Sequence, residues 1–189
     1  MARGDKAAVE DELEQFVQGR YLALRRTAYL LCGDWHRAED LVQGTLVKVV
    51  VAARRRRVES LDAYSRQVLL RLFLAENRRL WRRQEKSWAE PVEVADGGAG
   101  ATRSATHSAA ADSDLKLTVL SALRGLPPRQ RATVVLRYWE DRSVEETAAL
   151  LGISQGTVKS QSARALAALR VVLQDDRLGL GIGSEGATA

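Results

Sequence analysis

Apolar residues recur every three to four positions along most of the chain, while strict alternation of β-branched residues is absent. Over residues 9–32, Leu13, Val17, Leu24, Ala28 and Leu31 share one stripe, a 3.6-residue period that predicts a helix facing a core. Gly33 predicts its stop, and Asp34 predicts the N-cap of the next helix, DWHRAEDLVQGTLVKVVVAA. Leu41, Val42, Leu46, Val49 and Val50 form the apolar side of that second helix. The polar run RRRRVES follows as a loop. Asp62 is the predicted cap of a long third helix that passes through Tyr64, Val68, Leu72 and Phe73 towards Trp88.

The period is lost over residues 91–113, where 15 of 23 residues are Ala, Gly, Ser or Thr. That composition predicts a flexible linker, spanning ~26 Å root-mean-square as a coil and ~75 Å when drawn straight. Helical spacing resumes in LKLTVLSALRGL and continues after Pro127–Pro128 in RQRATVVLRYWE, with Pro128 suited to a first helical turn. Ser143 and Glu146 form an S-x-x-E capping box ahead of VEETAALL. Gly152 ends that helix and Ser154 caps the last one, through Val158, Leu166 and Leu169. The expectation is an all-α protein of two small helical domains, 9–90 and 114–173, joined by the flexible linker 91–113 and followed by a disordered tail, 174–189.

Composition agrees with packed cores: 46% of residues are hydrophobic and 28% charged. The single cysteine, Cys32, allows no intramolecular disulfide, so a reducing, cytoplasmic setting is expected. The N-terminal stretch has no secretion signal, and no apolar run approaches the ~18 residues of a membrane span. Net charge is +5 but unevenly placed: Arg66–Lys86 holds seven cations and two acids, whereas residues 5–14 hold five acids and one lysine. On a helical wheel Arg78, Arg79, Arg82, Arg83 and Lys86 share an arc of ~140°. Leu70, Leu74, Trp81 and Trp88 gather on another side, so the tryptophans read as core and the arginines as an exposed stripe facing a polyanion.

The run SVEETAALLGISQGTVKSQSARALAALR has the pattern of a helix-turn-helix. Ala148 lets two helices cross closely, Gly152 supplies a positive φ at the turn, Ile153 fills the core and Val158 anchors the second helix. Gln155, Gly156, Thr157, Lys159, Ser160, Gln161 and Arg164 then lie on its exposed side. Free amides at that helix start suit phosphate, and Gln161 and Arg164 suit base edges in a major groove. The motif alone predicts DNA binding and leaves the kind of regulator open.

GDWHRAEDLVQGTLVKVV resembles the clamp-binding segment of bacterial extracytoplasmic-function (group IV) RNA polymerase σ factors. LPPRQRATVVLRYWEDRSVEETAALLGISQGTVKSQSARALAALR resembles the same class's −35-reading domain, with GTVKSQ and RALAALR most like its small actinobacterial SigE-type subfamily. The resemblance covers about residues 12–88 and 115–173. It implies that Glu39, Asp40, Leu41, Gln43, Gly44 and Leu46 dock on the polymerase clamp. It implies that Arg56, Arg57, Ser60, Tyr64, Arg66, Gln67, Arg71, Arg78 and Arg79 serve −10 DNA, the loop 54–61 capturing a flipped base. Arg137, Gln155, Gly156, Thr157, Lys159, Ser160, Gln161 and Arg164 would serve the −35 element. Core RNA polymerase (clamp and flap) and promoter DNA are the implied partners, with an anti-σ factor as a further candidate. Two departures stand out: Gly44 replaces a helix former, often Glu, and Arg71 replaces a frequent Asn.

No nucleophile–base constellation or phosphate-cradling glycine loop is present, so neither a catalytic site, a cofactor nor a small-molecule substrate is expected. Glu39–Asp40 and Glu145–Glu146 sit in first helical turns, where acids favour the helix dipole. Cys32 and His36 are four residues apart, but no further ligand accompanies them and no metal site is expected. A stand-alone helix-turn-helix regulator explains residues 114–173 equally well, though not the basic loop and arginine stripe of the first domain. A polymerase-binding adaptor without promoter choice is the third reading.

Overall fold

The computed structural model describes residues 3–55, 58–87 and 109–179. Among these the chain is all-α: α1 (Arg3–Cys32), α2 (Trp35–Arg55), α3 (Leu61–Ser87), α4 (Ala109–Gly125), α5 (Pro128–Val134), α6 (Val144–Leu151) and α7 (Gln155–Gly179). A π-helical segment, Val135–Trp139, continues α5. Helices α1–α3 pack as one bundle, and α4–α7 form a second around Leu123, Leu126, Val134 and Ala165.

Most predicted helix ends are in place. Gly33 takes φ +70°, a left-handed conformation that favours glycine at this stop, and a Cβ there would require the Arg124 side chain to move. Asp34 Oδ1 accepts from the Arg37 backbone N–H at 2.9 Å. That bond holds the Asp34 carboxyl below its ordinary pKa, so the cap is intact at neutral pH and weakens as pH falls through the depressed value. Ser143 and Glu146 form both bonds of the capping box, at 3.1 and 2.8 Å. Gly152 closes α6 at φ +64°, and Ser154 Oγ accepts from the Thr157 N–H at 3.1 Å.

Four boundaries differ from expectation. The α3 cap is Ser60, whose Oγ accepts from the Ala63 N–H at 3.2 Å; Asp62 lies inside the first turn and pairs with Arg66 and Arg20 instead. Helix α1 starts at Arg3 rather than residue 9. Helix α4 starts at Ala109, inside the predicted linker, where Ala109–Ala111 are strong helix formers. Helix α7 runs on to Gly179, taking in the first six residues of the predicted tail. Linker positions 91–108, Trp88, Arg56 and Arg57 lie outside the described residues, as does the side chain of Trp81.

The larger finding is a shared core. Leu24, Ala28, Leu31, Leu41, Val42, Leu69, Leu70 and Phe73 from the first bundle pack in one cluster with Ala132, Val135 and Leu136 from the second. Arg131 enters the same region: its guanidinium donates to the carbonyls of Leu31 (2.6 Å), Arg124 (2.6 Å) and Leu126 (3.1 Å) and lies over the Phe73 ring. A cation thus closes the carbonyl ends of α1 and α4 together, which their dipoles favour.

Gly44 sits mid-helix in α2, where glycine costs helix stability. A Cβ there would meet Leu72 Cδ1 at 3.5 Å, an ordinary contact. Gly44→Ala is therefore expected to raise stability by ~1 kcal/mol, read as a higher urea midpoint with an unchanged m-value.

Candidate nucleic-acid and partner interfaces

Three faces carry the candidate residues. On α2, positions 40, 43, 44, 47 and 51 follow helical spacing along one side. Asp40 and Gln43 are exposed, and Val47 and Val51 expose an apolar strip beside them, 64% and 44% accessible. Leu41 instead faces inward, 6% accessible, and Leu46 packs against the same core, so both support the face rather than form it. Glu39 accepts from the Tyr21 hydroxyl at 3.0 Å and lies 3.6 Å from Arg25. The bond to Glu39 raises the Tyr21 pKa. Arg25 in turn lies 4.8 Å over Trp35, which stacks on Tyr29 with centroids 3.8 Å apart. This aromatic and ionic cluster was missed from the sequence because its members come from two helices. The Val47–Val51 strip was legible as apolar residues on the polar side of the α2 wheel.

Ser60, the cap of α3, and Tyr64, Gln67 and Arg71 on it do come together, lining one groove of about 720 Å³ that Ala149 and Leu150 of α6 also line. Arg78 and Arg79 are exposed further along. Arg78 and Arg82 join Asn77 and Arg129 at a second groove of about 460 Å³. Arg66 is placed differently. Its side chain is 11% accessible and pairs with Asp62 and with Glu140 from the second bundle. Burial alone would lower the Arg66 pKa, but hydrogen bonds and charge from Asp62 and Glu140 outweigh it and hold the guanidinium charged.

On the second bundle, α6, the Gly152 turn and α7 form the expected helix-turn-helix, with Ala148 and Val158 buried at the crossing. Gln155, Gly156, Lys159, Ser160 and Arg164 are exposed on α7. Thr157 is half-buried, its hydroxyl 2.8 Å from Ser154 Oγ. Gln161 turns partly inward, its Oε1 enclosed without a donor among the described residues. Arg137 donates to the Arg142 carbonyl and so braces the loop before α6. The π-helical segment just ahead leaves Tyr138 and Trp139 exposed and turns Glu140 towards α1 and α3.

Among the described residues no group of three or more His, Cys, Asp or Glu is arranged to hold a metal ion, and no helix is long and apolar enough to cross a membrane. The Cys32 thiol is buried, and burial pushes its pKa up to about 11, which suppresses thiolate chemistry.

Residues 16–83 match the family model for Sigma-70 region 2, and residues 116–169 match that for Sigma-70, region 4. The chain is 39% identical over 168 residues to the RNA polymerase sigma-E factor of Streptomyces avermitilis, covering 86% of each. It is 31% identical over 169 residues to the ECF RNA polymerase sigma factor SigE of Mycolicibacterium smegmatis, covering 89% of this chain and 64% of that one. The chain belongs to the extracytoplasmic-function class of RNA polymerase sigma factors. Among solved structures this sigma factor resembles RpoE of Bartonella quintana, crystallised with the anti-sigma factor NepR, at 28% identity and a TM-score of 0.64, covering 88% of this chain and 99% of that one. It is accordingly an alternative sigma factor of transcription initiation, a class not known as enzymes. Region 2 corresponds to the α1–α3 bundle and region 4 to most of α4–α7.

Proposed function

We propose that this sigma factor works in the cytoplasm, binding core RNA polymerase and choosing promoters by reading −10 and −35 elements with its two bundles. The reading rests on one observation above all: a region 2 match and a region 4 match stand on one chain, each with polar and cationic residues on an exposed face. Asp40, Gln43 and the Val47–Val51 strip would form the clamp contact, with Glu39 held in place by Tyr21 and Arg25. Apolar residues ringed by charge are what a protein–protein contact needs at its centre. Tyr64, Gln67, Arg71, Arg78 and Arg79 would hold −10 DNA, where stacking and charge offset the cost of unpairing. Lys159, Ser160, Gln155 and the α7 amides would grip −35 phosphates, and Arg164 would read a base edge. The domain bounds 9–90 and 114–173, the second now extended back to Ala109 by α4, are part of this reading. So is an anti-sigma partner, the class of protein bound to RpoE in the resembling structure.

The test adds purified protein to core polymerase and a promoter library. A stand-alone regulator would bind DNA without core enzyme and select no start sites. An adaptor would bind core enzyme without selecting starts. The proposal expects both core binding and selected starts. Arg164→Ala is expected to cost ~1–3 kcal/mol at a single −35 position, measured by competing promoter variants for the holoenzyme. An equal loss on every sequence would make Arg164 a phosphate contact only.

A further inference from the structure

The groove at the start of α3 contains an acid that the sequence did not point to. Glu59 lies in the loop just ahead of the Ser60 cap and lines the same groove as Tyr64, Gln67 and Arg71. It is exposed, and its carboxylate has no ion pair or hydrogen bond among the described residues. Cations are close by in the chain and in space. Arg54 nevertheless pairs with Glu10, at 3.6 Å. Arg71 shares the groove and is itself unpaired among the described residues. A lone carboxylate on a face that holds DNA repels phosphate, and so weakens binding to every sequence alike. It has a use there only if DNA brings it a donor.

An ionised glutamate accepts hydrogen bonds and donates none. The other side chains of the groove discriminate less between bases. Tyr64 offers a ring face, on which any base can stack. The Gln67 amide carries donors and an acceptor and turns to suit either. Ser60 Oγ accepts from the Ala63 N–H at 3.2 Å and is free to donate as well. Arg71 donates, and every nucleotide has a phosphate to receive it. Ala149 and Leu150 bring no polar side chain. Glu59 is thus the groove's fixed acceptor. Tyr64, Gln67 and Arg71 follow at i, i+3 and i+7 on one face of α3, whose N-terminal end Glu59 borders. At about 720 Å³ the groove has room for an unstacked base. Adenine and cytosine each bring one exocyclic amino group, and guanine brings an amino group beside its ring N–H. Thymine has no amino group, and its ring N–H lies between two carbonyl oxygens that a carboxylate repels.

We propose that Glu59 is a base-selecting residue, accepting a hydrogen bond from the exocyclic amino group of an unstacked −10 base and so disfavouring thymine at that one position. This rests on the assignment of the α3 face of this sigma factor to −10 DNA. Charge and selection leave different marks. Repulsion of phosphate acts on all promoters equally, whereas a hydrogen bond to a base acts at a single position and on some bases only.

The experiment compares wild type, Glu59→Gln and Glu59→Ala as full chains with core polymerase, on templates whose −10 block is randomised, counting transcripts for each base at each position. Folding is checked by circular dichroism, and both variants should bind core polymerase as wild type does. Wild type is expected to use thymine ~10-fold less than the preferred amino-bearing base at one −10 position. Glu59→Gln, whose amide can donate to a thymine carbonyl, should narrow that gap to about 2-fold by raising the thymine templates. Glu59→Ala should narrow it too, and preferences elsewhere in both promoter blocks should stay as they are. Identical base preferences in the three proteins would overturn the proposal. So would a rise shared equally by all four bases, which would reduce Glu59 to general charge, or a loss of core binding in both variants, which would place it in the polymerase contact. A wild type that selects no starts with core polymerase would remove the promoter reading itself, an outcome distinct from selected starts that ignore residue 59.

Discussion

Arg131→Met is expected to destabilise the folded chain by roughly 3 kcal/mol, because three carbonyls, two of them in buried bonds, lose a charged donor at once. The Arg131 guanidinium reaches the Leu31, Arg124 and Leu126 carbonyls, and burial lowers its pKa. Two effects compete. Removing a buried cation relieves a desolvation cost, and replacing buried charges by apolar groups is at times neutral. Here the acceptors stay behind, and the two in buried bonds each cost about 1–3 kcal/mol when left unmade, so the loss prevails. Urea unfolding measures it. Arg131→Lys is expected to recover only part of the loss, since a single ammonium cannot reproduce the planar fork that serves two helix ends. A methionine variant as stable as wild type would mean that the charge contributes no net stability.

The second large effect is at Phe73. It is 1% accessible and lies in the cluster shared by both bundles, beneath the Arg131 guanidinium. Phe73→Ala is expected to cost ~3–5 kcal/mol through lost burial and a residual cavity. The informative readout is where the cost is felt. The chain holds four tryptophans, so backgrounds that keep one each are used: Trp35 alone then reports region 2 and Trp139 alone reports region 4. If the bundles unfold as one unit, the two tryptophan signals should shift together to lower urea. A Trp139 transition left at its wild-type midpoint would show region 4 to be stable on its own.

Local signals in the sequence translated well into helix ends. Gly33, Asp34, Ser143 with Glu146, Gly152 and Ser154 each act within a few residues of themselves, so a spacing rule captures them. Ser60 and Asp62 show the limit of such rules. Both are good caps, and only the backbone position of the last extended residue decides between them. The π-helical turn at Val135–Trp139 has no spacing signature at all, yet it sets where Glu140 points. Recognition helix α7 was legible because its exposed face follows from its own period. The fate of Arg66 was not, since its partner Glu140 is 74 positions away. Arg131 left one hint: it falls three and four residues before Val134 and Val135, on the apolar side of its helix, where an arginine needs buried partners. Their identity depends on how the two bundles meet, which no periodicity encodes.

The central claim is that two bundles of one chain address polymerase to two DNA elements together. The most direct measurement maps transcript starts made in vitro by core polymerase with and without this protein on a randomised upstream library. The account predicts starts that appear only with the protein and that share two sequence blocks at a fixed separation, one near −10 and one near −35. Starts unchanged by the protein, or a single block at no fixed distance from the start, would contradict it.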